Sequence, residues 1–469
     1  MLDSRIVNDL KRLVGPARVL TEPEEMAVYA YDGTWYEHRP DVVVNALSSG
    51  EVSAILRLAD GERIPIVPRG AGTGLAGGSV PASGGIVLNL AMMNRILEVD
   101  VENMVAVAQP GVITGVLQEE VEKLRLFYPP DPASLKQCTI GGNVAMNAGG
   151  PRGLKYGVTK DYVLGLEVVV PNGDTLRLGG KPVKNVTGYN LSQLFVGSEG
   201  TLGVVTEVTV RLVPLPKARS MALAVFPRLE DAASVVGVVL AAGIVPTTIE
   251  IMDRTTVRSV EEYTGRGLPV EAEALILVEV DGAPETAAAQ ADEVSELCRK
   301  QGASSVRRAT TAKEMDEMWL VRRSISPSLA RLRPNKLGED ISVPRAAIVS
   351  IVREIQQIAA RNDITIAVFG HISDGNLHPN ILFDRRNKDE LERVKKAAEE
   401  IFAAATSVGG TLSGEHGIGL LKREFLGMDL SPEVIDAMRR VKSAFDPNNV
   451  LNPGKVFPQG GDRIPSPGQ

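Results

Sequence analysis

Between residues 63 and 215 the chain breaks into short β-like runs separated by glycine-rich loops, and this alternation constrains the fold more than any other feature. The first loop, Val67-Pro68-Arg69-Gly70-Ala71-Gly72-Thr73-Gly74-Leu75-Ala76-Gly77-Gly78-Ser79, follows a run at 64–67. Gly72, Gly74 and Gly77 formally satisfy G-x-G-x-x-G. A dinucleotide fold of the Rossmann type needs a helix to begin inside that motif. Here Gly78-Ser79-Val80-Pro81 and Gly84-Gly85 break any such helix. A phosphate on this loop would be held by successive backbone N–H groups in a nest, with glycine allowing close approach.

Two further clusters extend the pattern. Pro129-Pro130-Asp131-Pro132-Ala133-Ser134 precedes Thr139-Ile140-Gly141-Gly142-Asn143-Val144, Asn147-Ala148-Gly149-Gly150 and Gly153-Leu154-Lys155-Tyr156-Gly157. The third is Val196-Gly197-Ser198-Glu199-Gly200-Thr201-Leu202-Gly203-Val204. Singly, each loop reads equally well as a tight turn. Together, three loops rich in Gly, Ser, Thr and Asn can wrap a large phosphorylated ligand along its length.

The texture changes after Pro214-Leu215-Pro216. Strands are expected at 222–226, 247–251, 274–280, 303–307, 365–370 and 377–383, and helices at 229–242, 285–301, 312–332, 345–361 and 388–407. That alternation reads as an α+β domain with an antiparallel sheet. Upstream, a helix is expected at 52–62 and strands at 41–46, 64–67, 85–90, 104–108, 165–170 and 202–212. The expected organisation is 1–216, 217–412, a returning segment 413–458, and a disordered Pro/Gly-rich tail at 459–469.

The chain has 469 residues and only four histidines. Three of them lie in two glycine-bounded segments, Gly370-His371-Ile372-Ser373-Asp374-Gly375-Asn376-Leu377-His378 and Ser413-Gly414-Glu415-His416-Gly417. His371 and His378 flank a Ser-Asp-Gly-Asn turn between two strand patterns, so both rings can converge on one ion. Two imidazoles and the Glu415 carboxylate suit a catalytic divalent metal with open positions. Spacing alone does not choose among Zn²⁺, Mn²⁺ and Fe²⁺. Glu415 and His416 are adjacent, so one can bind the ion while its neighbour faces a substrate, and an extra imidazole, titrating near neutrality, suits a general base. Asp374 reads as a turn-former rather than a ligand.

Net charge −7 argues against a nucleic-acid or polybasic membrane-surface protein. No window approaches a membrane span, and the N-terminus has no apolar signal core, so a cytoplasmic protein, or one peripheral through a partner, is expected. Two cysteines, Cys138 and Cys298, cannot build a disulfide framework or a four-thiolate iron–sulfur site. Electrons leaving this chain must pass to another protein or a diffusible acceptor.

The three loop sets in this order, the histidine segments, and the ending Phe445-Asp446-Pro447-Asn448-Asn449-Val450-Leu451-Asn452-Pro453-Gly454-Lys455 resemble the vanillyl-alcohol oxidase superfamily. The likeness is to its branch of glycolate oxidase D-subunits, D-lactate dehydrogenases and D-2-hydroxyglutarate dehydrogenases. It runs over about residues 5–457. It implies an α+β protein: a two-subdomain FAD-binding domain of the vanillyl-alcohol-oxidase (PCMH) type, closed by an α/β cap domain with an antiparallel sheet. The loop of Pro68, Arg69, Gly70, Ala71, Gly72, Thr73, Gly74, Gly78 and Ser79 would hold the pyrophosphate. Pro130, Asp131, Ser134, Thr139, Gly141, Gly142, Asn143, Ala148, Gly149, Gly153, Tyr156, Gly157, Glu199, Gly203 and Val204 would line the flavin or its ribityl chain. Asn452 would return near the isoalloxazine.

Many relatives attach FAD covalently through a histidine of the pyrophosphate loop. That loop has none here, and the one spare histidine, His38, lies outside all coenzyme loops, so non-covalent FAD is expected. The resemblance implies zinc on His371, His378 and Glu415, with manganese or iron as alternatives, and His416 as the base. It favours Arg322 for the substrate carboxylate, with Lys336 in support from a following loop and Asn376 adding a hydrogen bond.

The activity implied is oxidation of a small D-2-hydroxy acid, glycolate or D-lactate, to the 2-oxo acid. A D-2-hydroxyglutarate dehydrogenase and a non-catalytic flavin electron-transfer subunit are the alternatives. Retention of the histidines disfavours the second of these. An aryl-alcohol or sugar oxidase is disfavoured by the absent covalent-flavin histidine and the expected metal site. Implied acceptors are the companion flavin and iron–sulfur subunits of a glycolate-oxidase-type complex, or electron-transfer flavoprotein. A homodimer stays open.

Overall fold

The computed structural model describes residues 2–309 and 311–459. Of the tail expected over 459–469, all but Gln459 lies outside the described residues. The chain forms two units, Met1–Gly149 with Val158–Leu215 and Glu415–Gln469, and Gly150–Gly157 with Pro216–Gly414. Residues 150–157, expected with the first domain, group with the second unit instead. Thr248 Oγ1 donates to the Pro151 carbonyl at 3.0 Å, and Tyr156 OH donates to Asp281 at 2.9 Å.

The first unit contains two larger sheets. In one, strands run in the order Val19–Leu20, Val42–Asn45, Ile86–Asn89, Ile66–Arg69, the last three parallel. Helix Ser49–Glu62 packs Val52, Ile55, Leu56 and Ala59 into the core with Val44, Ile66, Ile86 and Leu88. It starts three residues before the expected 52 because the Ser48 side chain accepts from Glu51 N, the Ser-x-x-Glu spacing of a capped start. The C-terminal segment returns to this sheet: Ile66 N donates to Val450 O and Asn452 N to Ile66 O, both at 2.7 Å.

The other sheet is antiparallel, ordered Ile96–Asp100, Val105–Ala108, Val204–Arg211, Val163–Val169, Thr175–Gly179. Its two edge strands were not expected. Both are largely exposed, so they lack the apolar runs of the three strands between them. No helix follows the first glycine loop: residues 70–84 are turns and extended backbone, as the broken motif predicts. Helix Ile140–Met146 forms inside the second loop set despite two glycines, with Thr139 Oγ1 accepting from Gly142 N at 3.2 Å.

The second unit is built on one antiparallel sheet. Its order is Ser305–Ala309, Ala218–Phe226, Ala274–Gly282, Thr248–Asp253, Thr365–His371, Asn376–Phe383, Asn335–Gly338, with Ile341–Ser342 also pairing Asn376–Phe383. Met221, Leu277, Met252, Phe369 and Leu382 of these strands share a core with Val257, Met318, Val321, Ile325 and Leu329 of helices. Burying each such side chain contributes about 1.5–3 kcal/mol.

The helix expected over 312–332 is two, Ala312–Arg323 and Ile325–Leu332. Pro327 has no N–H to continue the first helix but fits the first turn of a second one. Asn335–Gly338 is an edge strand, so Lys336 lies on a strand rather than in a loop. Among the described residues no helix is long and apolar enough to cross a membrane.

Candidate active site

In the first unit the three glycine loops face one cavity. It is lined by Pro68, Arg69, Gly70, Ala71, Gly72, Thr73, Gly74, Gly78 and Ser79 of the first loop, and by Ser134, Thr139, Gly141, Gly142, Asn143, Ala148 and Gly149 of the second. Glu199, Gly203 and Val204 come from the third, and Glu415 and His416 from the returning segment. The loops interlock where they meet. A Cβ on Gly70 would sit 2.3 Å from Thr139 Oγ1, so only glycine lets the first loop lie against the capped start of helix Ile140–Met146. Asn143 Nδ2 donates to Thr114 Oγ1 at 2.7 Å, and Arg69 donates to Tyr31 O at 2.7 Å and Val28 O at 3.2 Å. Arg69 therefore braces the loop with its guanidinium turned into the protein.

The returning segment is held by buried charge. Glu199 lies at φ 54 and accepts from Ile418 N at 2.7 Å and Gly419 N at 2.8 Å, fixing the turn just after His416. Burial pushes its carboxyl up, against those two amides and the Lys455 and Lys422 charges. Asn452 Nδ2 donates to Gly78 O and Glu199 O, tying the first and third loops together. Lys455, whose ammonium burial lowers to about 8, donates to Val80 O at 2.6 Å.

Of the residues expected near the coenzyme, Pro130, Asp131, Gly153, Tyr156, Gly157 and Asn452 do not line the cavity. Gln118 Nε2 donates to Pro130 O at 2.8 Å. Gly153, Tyr156 and Gly157 belong to the second unit. Asn452 braces the loops from behind. Leu90, Pro110, Met146 and Val205 also line the cavity and were not assigned to it from sequence. Apolar side chains supply no motif, and only the folded loops bring them there.

In the second unit a hairpin carries the two metal-type histidines. Its strands pair His371 with Asn376 and Phe369 with His378, which puts both imidazoles on one face as diagonal neighbours. Their ring centroids are 5.1 Å apart, and both rings are buried. Gly375 at φ +87 makes the turn, and a Cβ there would meet Val343 O at 2.0 Å. Asp374 Oδ1 accepts from Asn376 N at 3.4 Å, a turn-forming contact.

Two buried carboxylates that were not singled out from sequence organise this face. Asp340 Oδ1 accepts from Asn376 Nδ2 at 2.9 Å, its Oδ2 accepts from Ser413 Oγ at 2.7 Å, and His378 Nδ1 lies 3.8 Å away. Glu250, directly opposite His371 on the neighbouring strand, bonds His371 Nδ1 and Arg322 Nε. Burial opposes its charge, but the His371 imidazole and Arg322 guanidinium hold its carboxyl below the usual range. An acid inside the apolar run 248–252 was the available signal.

Arg322 stacks 4.7 Å over the Phe369 ring, and its two terminal nitrogens make no hydrogen bond among the described residues. Lys336 Nζ donates to Ser326 Oγ at 2.9 Å, and burial lowers its pKa. Asn376 Oδ1 and Ser373 Oγ are buried without a hydrogen-bond partner among the described residues. Two imidazoles with the unsatisfied Asn376 oxygen on their face suit a hard or borderline cation with water in its shell.

Comparison with known proteins agrees with this architecture. Residues 40–179 match the FAD binding domain family and residues 215–456 the family of FAD linked oxidases, C-terminal domain. The glycolate oxidase subunit GlcD of Bacillus subtilis is 48% identical over 458 residues, covering 97% of each chain. A D-lactate dehydrogenase of Anaerostipes hadrus is 37% identical over 461 residues, covering 94% of this chain and 95% of its own. A p-cresol methylhydroxylase structure with substrate bound superposes with a TM-score of 0.80 at 19% identity, covering 98% of each chain. The chain therefore belongs to the FAD-linked oxidases, with the vanillyl-alcohol-oxidase (PCMH) type of FAD-binding fold, and is an FAD-dependent oxidoreductase.

Proposed function

We propose that this enzyme oxidises a small D-2-hydroxy acid, glycolate or D-lactate, to the 2-oxo acid. The observation that carries the reading is that His416 lines the same cavity as all three glycine loops. A base held at the coenzyme cavity suits removal of a hydroxyl proton from a substrate whose carbon is being oxidised. The names of the relatives, a glycolate oxidase subunit and a D-lactate dehydrogenase, support the substrate class.

The cavity fits FAD because its loops approach too closely at Gly70 to carry side chains there, leaving backbone to meet a phosphate. FAD is proposed to be non-covalent, since no histidine occurs in residues 67–79. His371 and His378 are proposed to hold a divalent ion, zinc first, with Glu415 as the carboxylate that follows this unit along the chain. When bound, the flavin would accept the hydride and the ion would acidify the hydroxyl.

The protein's own residues do the rest. His416 takes the hydroxyl proton. Arg322 offers its terminal guanidinium nitrogens to the substrate carboxylate, and Lys336 adds positive charge. Asn376, its amide nitrogen fixed on Asp340, keeps its oxygen for a donor in the site. Electrons would leave to a partner protein, a companion subunit or electron-transfer flavoprotein. The subunit name of the Bacillus subtilis relative supports the former.

The test is anaerobic flavin bleaching with glycolate, D-lactate, L-lactate or D-2-hydroxyglutarate, each with and without chelator. Fast bleaching by glycolate or D-lactate, lost with chelator, is expected. An FAD-loaded protein that none of the four bleaches would sink the reading.

A further inference from the structure

We propose that Glu250 is a positioning residue that orients a metal-binding imidazole with one carboxylate oxygen and a substrate-binding guanidinium with the other. This rests on the proposed roles of His371 and Arg322. Glu250 is fully buried on strand Thr248–Asp253, in direct register with His371. Its Oε1 meets His371 Nδ1, so an ion on this imidazole would be bound through Nε2. A carboxylate behind a ligating imidazole fixes its tautomer and ring angle and raises its basicity.

The other oxygen, Oε2, meets Arg322 Nε and so fixes the plane of the guanidinium, already stacked on Phe369. The terminal nitrogens, the pair that grips a carboxylate bidentately, are left for the substrate. Phe369 also lies 5.5 Å from the His378 ring, so the stack ties Arg322 to the second imidazole as well. One buried acid thus sets two geometries. An amide in its place could accept from only one of the two N–H groups and would turn its own NH₂ toward the other.

The experiment uses the full-length FAD-loaded protein, with Zn²⁺ as the probe in competition with a chromophoric chelator. KM and kcat for glycolate and D-lactate are read in parallel. Glu250→Gln is expected to weaken zinc by about 10- to 100-fold, within the range for such outer partners. It is also expected to raise KM while leaving flavin content unchanged. Wild-type zinc affinity and wild-type KM in this variant would overturn the proposal. If Glu250→Gln does not fold, Glu250→Asp, which keeps the charge but draws it back by one methylene, is judged by the same criteria. A wild-type protein that binds no zinc would instead overturn the metal reading, and this inference with it. The two failures are therefore distinguishable from the wild-type titration alone.

Discussion

Gly70→Ala tests whether interlocking loops create the coenzyme cavity. The new Cβ would lie 2.3 Å from Thr139 Oγ1 and 3.4 Å from Thr139 Cβ. Ordinary contact begins near 3.4 Å, so the oxygen must retreat by about 1.1 Å, the difference between 3.4 and 2.3 Å. That oxygen caps helix Ile140–Met146, and Gly141, Gly142, Asn143 and Met146 of this helix line the cavity. Overpacking of this kind costs about 1–3 kcal/mol. Without flavin the loops can swing apart and shed the strain, whereas bound FAD holds them at native spacing. The strain therefore appears as weaker binding, about 5- to 150-fold in Kd.

Thr139→Ala removes the obstructing oxygen at the expense of the cap, about 1 kcal/mol. The double variant Gly70→Ala/Thr139→Ala should then bind FAD about as well as Thr139→Ala alone. The assay is FAD titration of the apoproteins by flavin fluorescence, read as a double-mutant cycle. Additive losses, or wild-type affinity in Gly70→Ala, would refute the interlock.

Three further outcomes are expected. His416→Ala should keep stoichiometric FAD but slow anaerobic substrate-driven reduction by about 10²- to 10⁴-fold, measured by stopped-flow bleaching; near-normal bleaching would remove the base assignment. Acid precipitation should release all the flavin into the supernatant, and flavin left with the pellet would contradict non-covalent attachment. Asp253 is fully buried at the start of helix Arg254–Thr264, and burial raises its carboxyl from 3.8 to about 6. The folded state thus favours the protonated acid, so stability falls as pH rises from near 4 through about 6, by about 3 kcal/mol. Asp253→Asn retains the cap and should lose that pH dependence; parallel urea-denaturation profiles for the two apoproteins between pH 4 and 7.5 would show that Asp253 is not the titrating group.

The legible part of this protein was whatever local chemistry dictates. Gly78, Pro81, Gly84 and Gly85 forbid a helix after the first loop, and that alone excludes a Rossmann unit. Four histidines in 469 residues, three of them in two glycine-bounded segments, are improbable as solvent-exposed scatter, and they marked the reactive stretches. Strands with both faces buried, such as Val42–Asn45 and Ile86–Asn89, announce themselves as apolar runs. Edge strands Ile96–Asp100 and Thr175–Gly179 do not, because pairing rather than burial defines them.

What only the tertiary structure decided is partnership across long stretches of chain. Glu250 and His371 are 121 residues apart and meet because two strands pair in one register. Asn452 and Gly78 are 374 apart and meet because the chain end returns to the parallel sheet. Arg322 could be read as a carboxylate binder, but not that its Nε is held by an acid while its terminal nitrogens are left over. Backbone propensities act over a few residues and are written in order along the chain. A buried carboxylate's partners are chosen by which side chains the fold leaves to neutralise it, and that choice exists only once the sheet has formed.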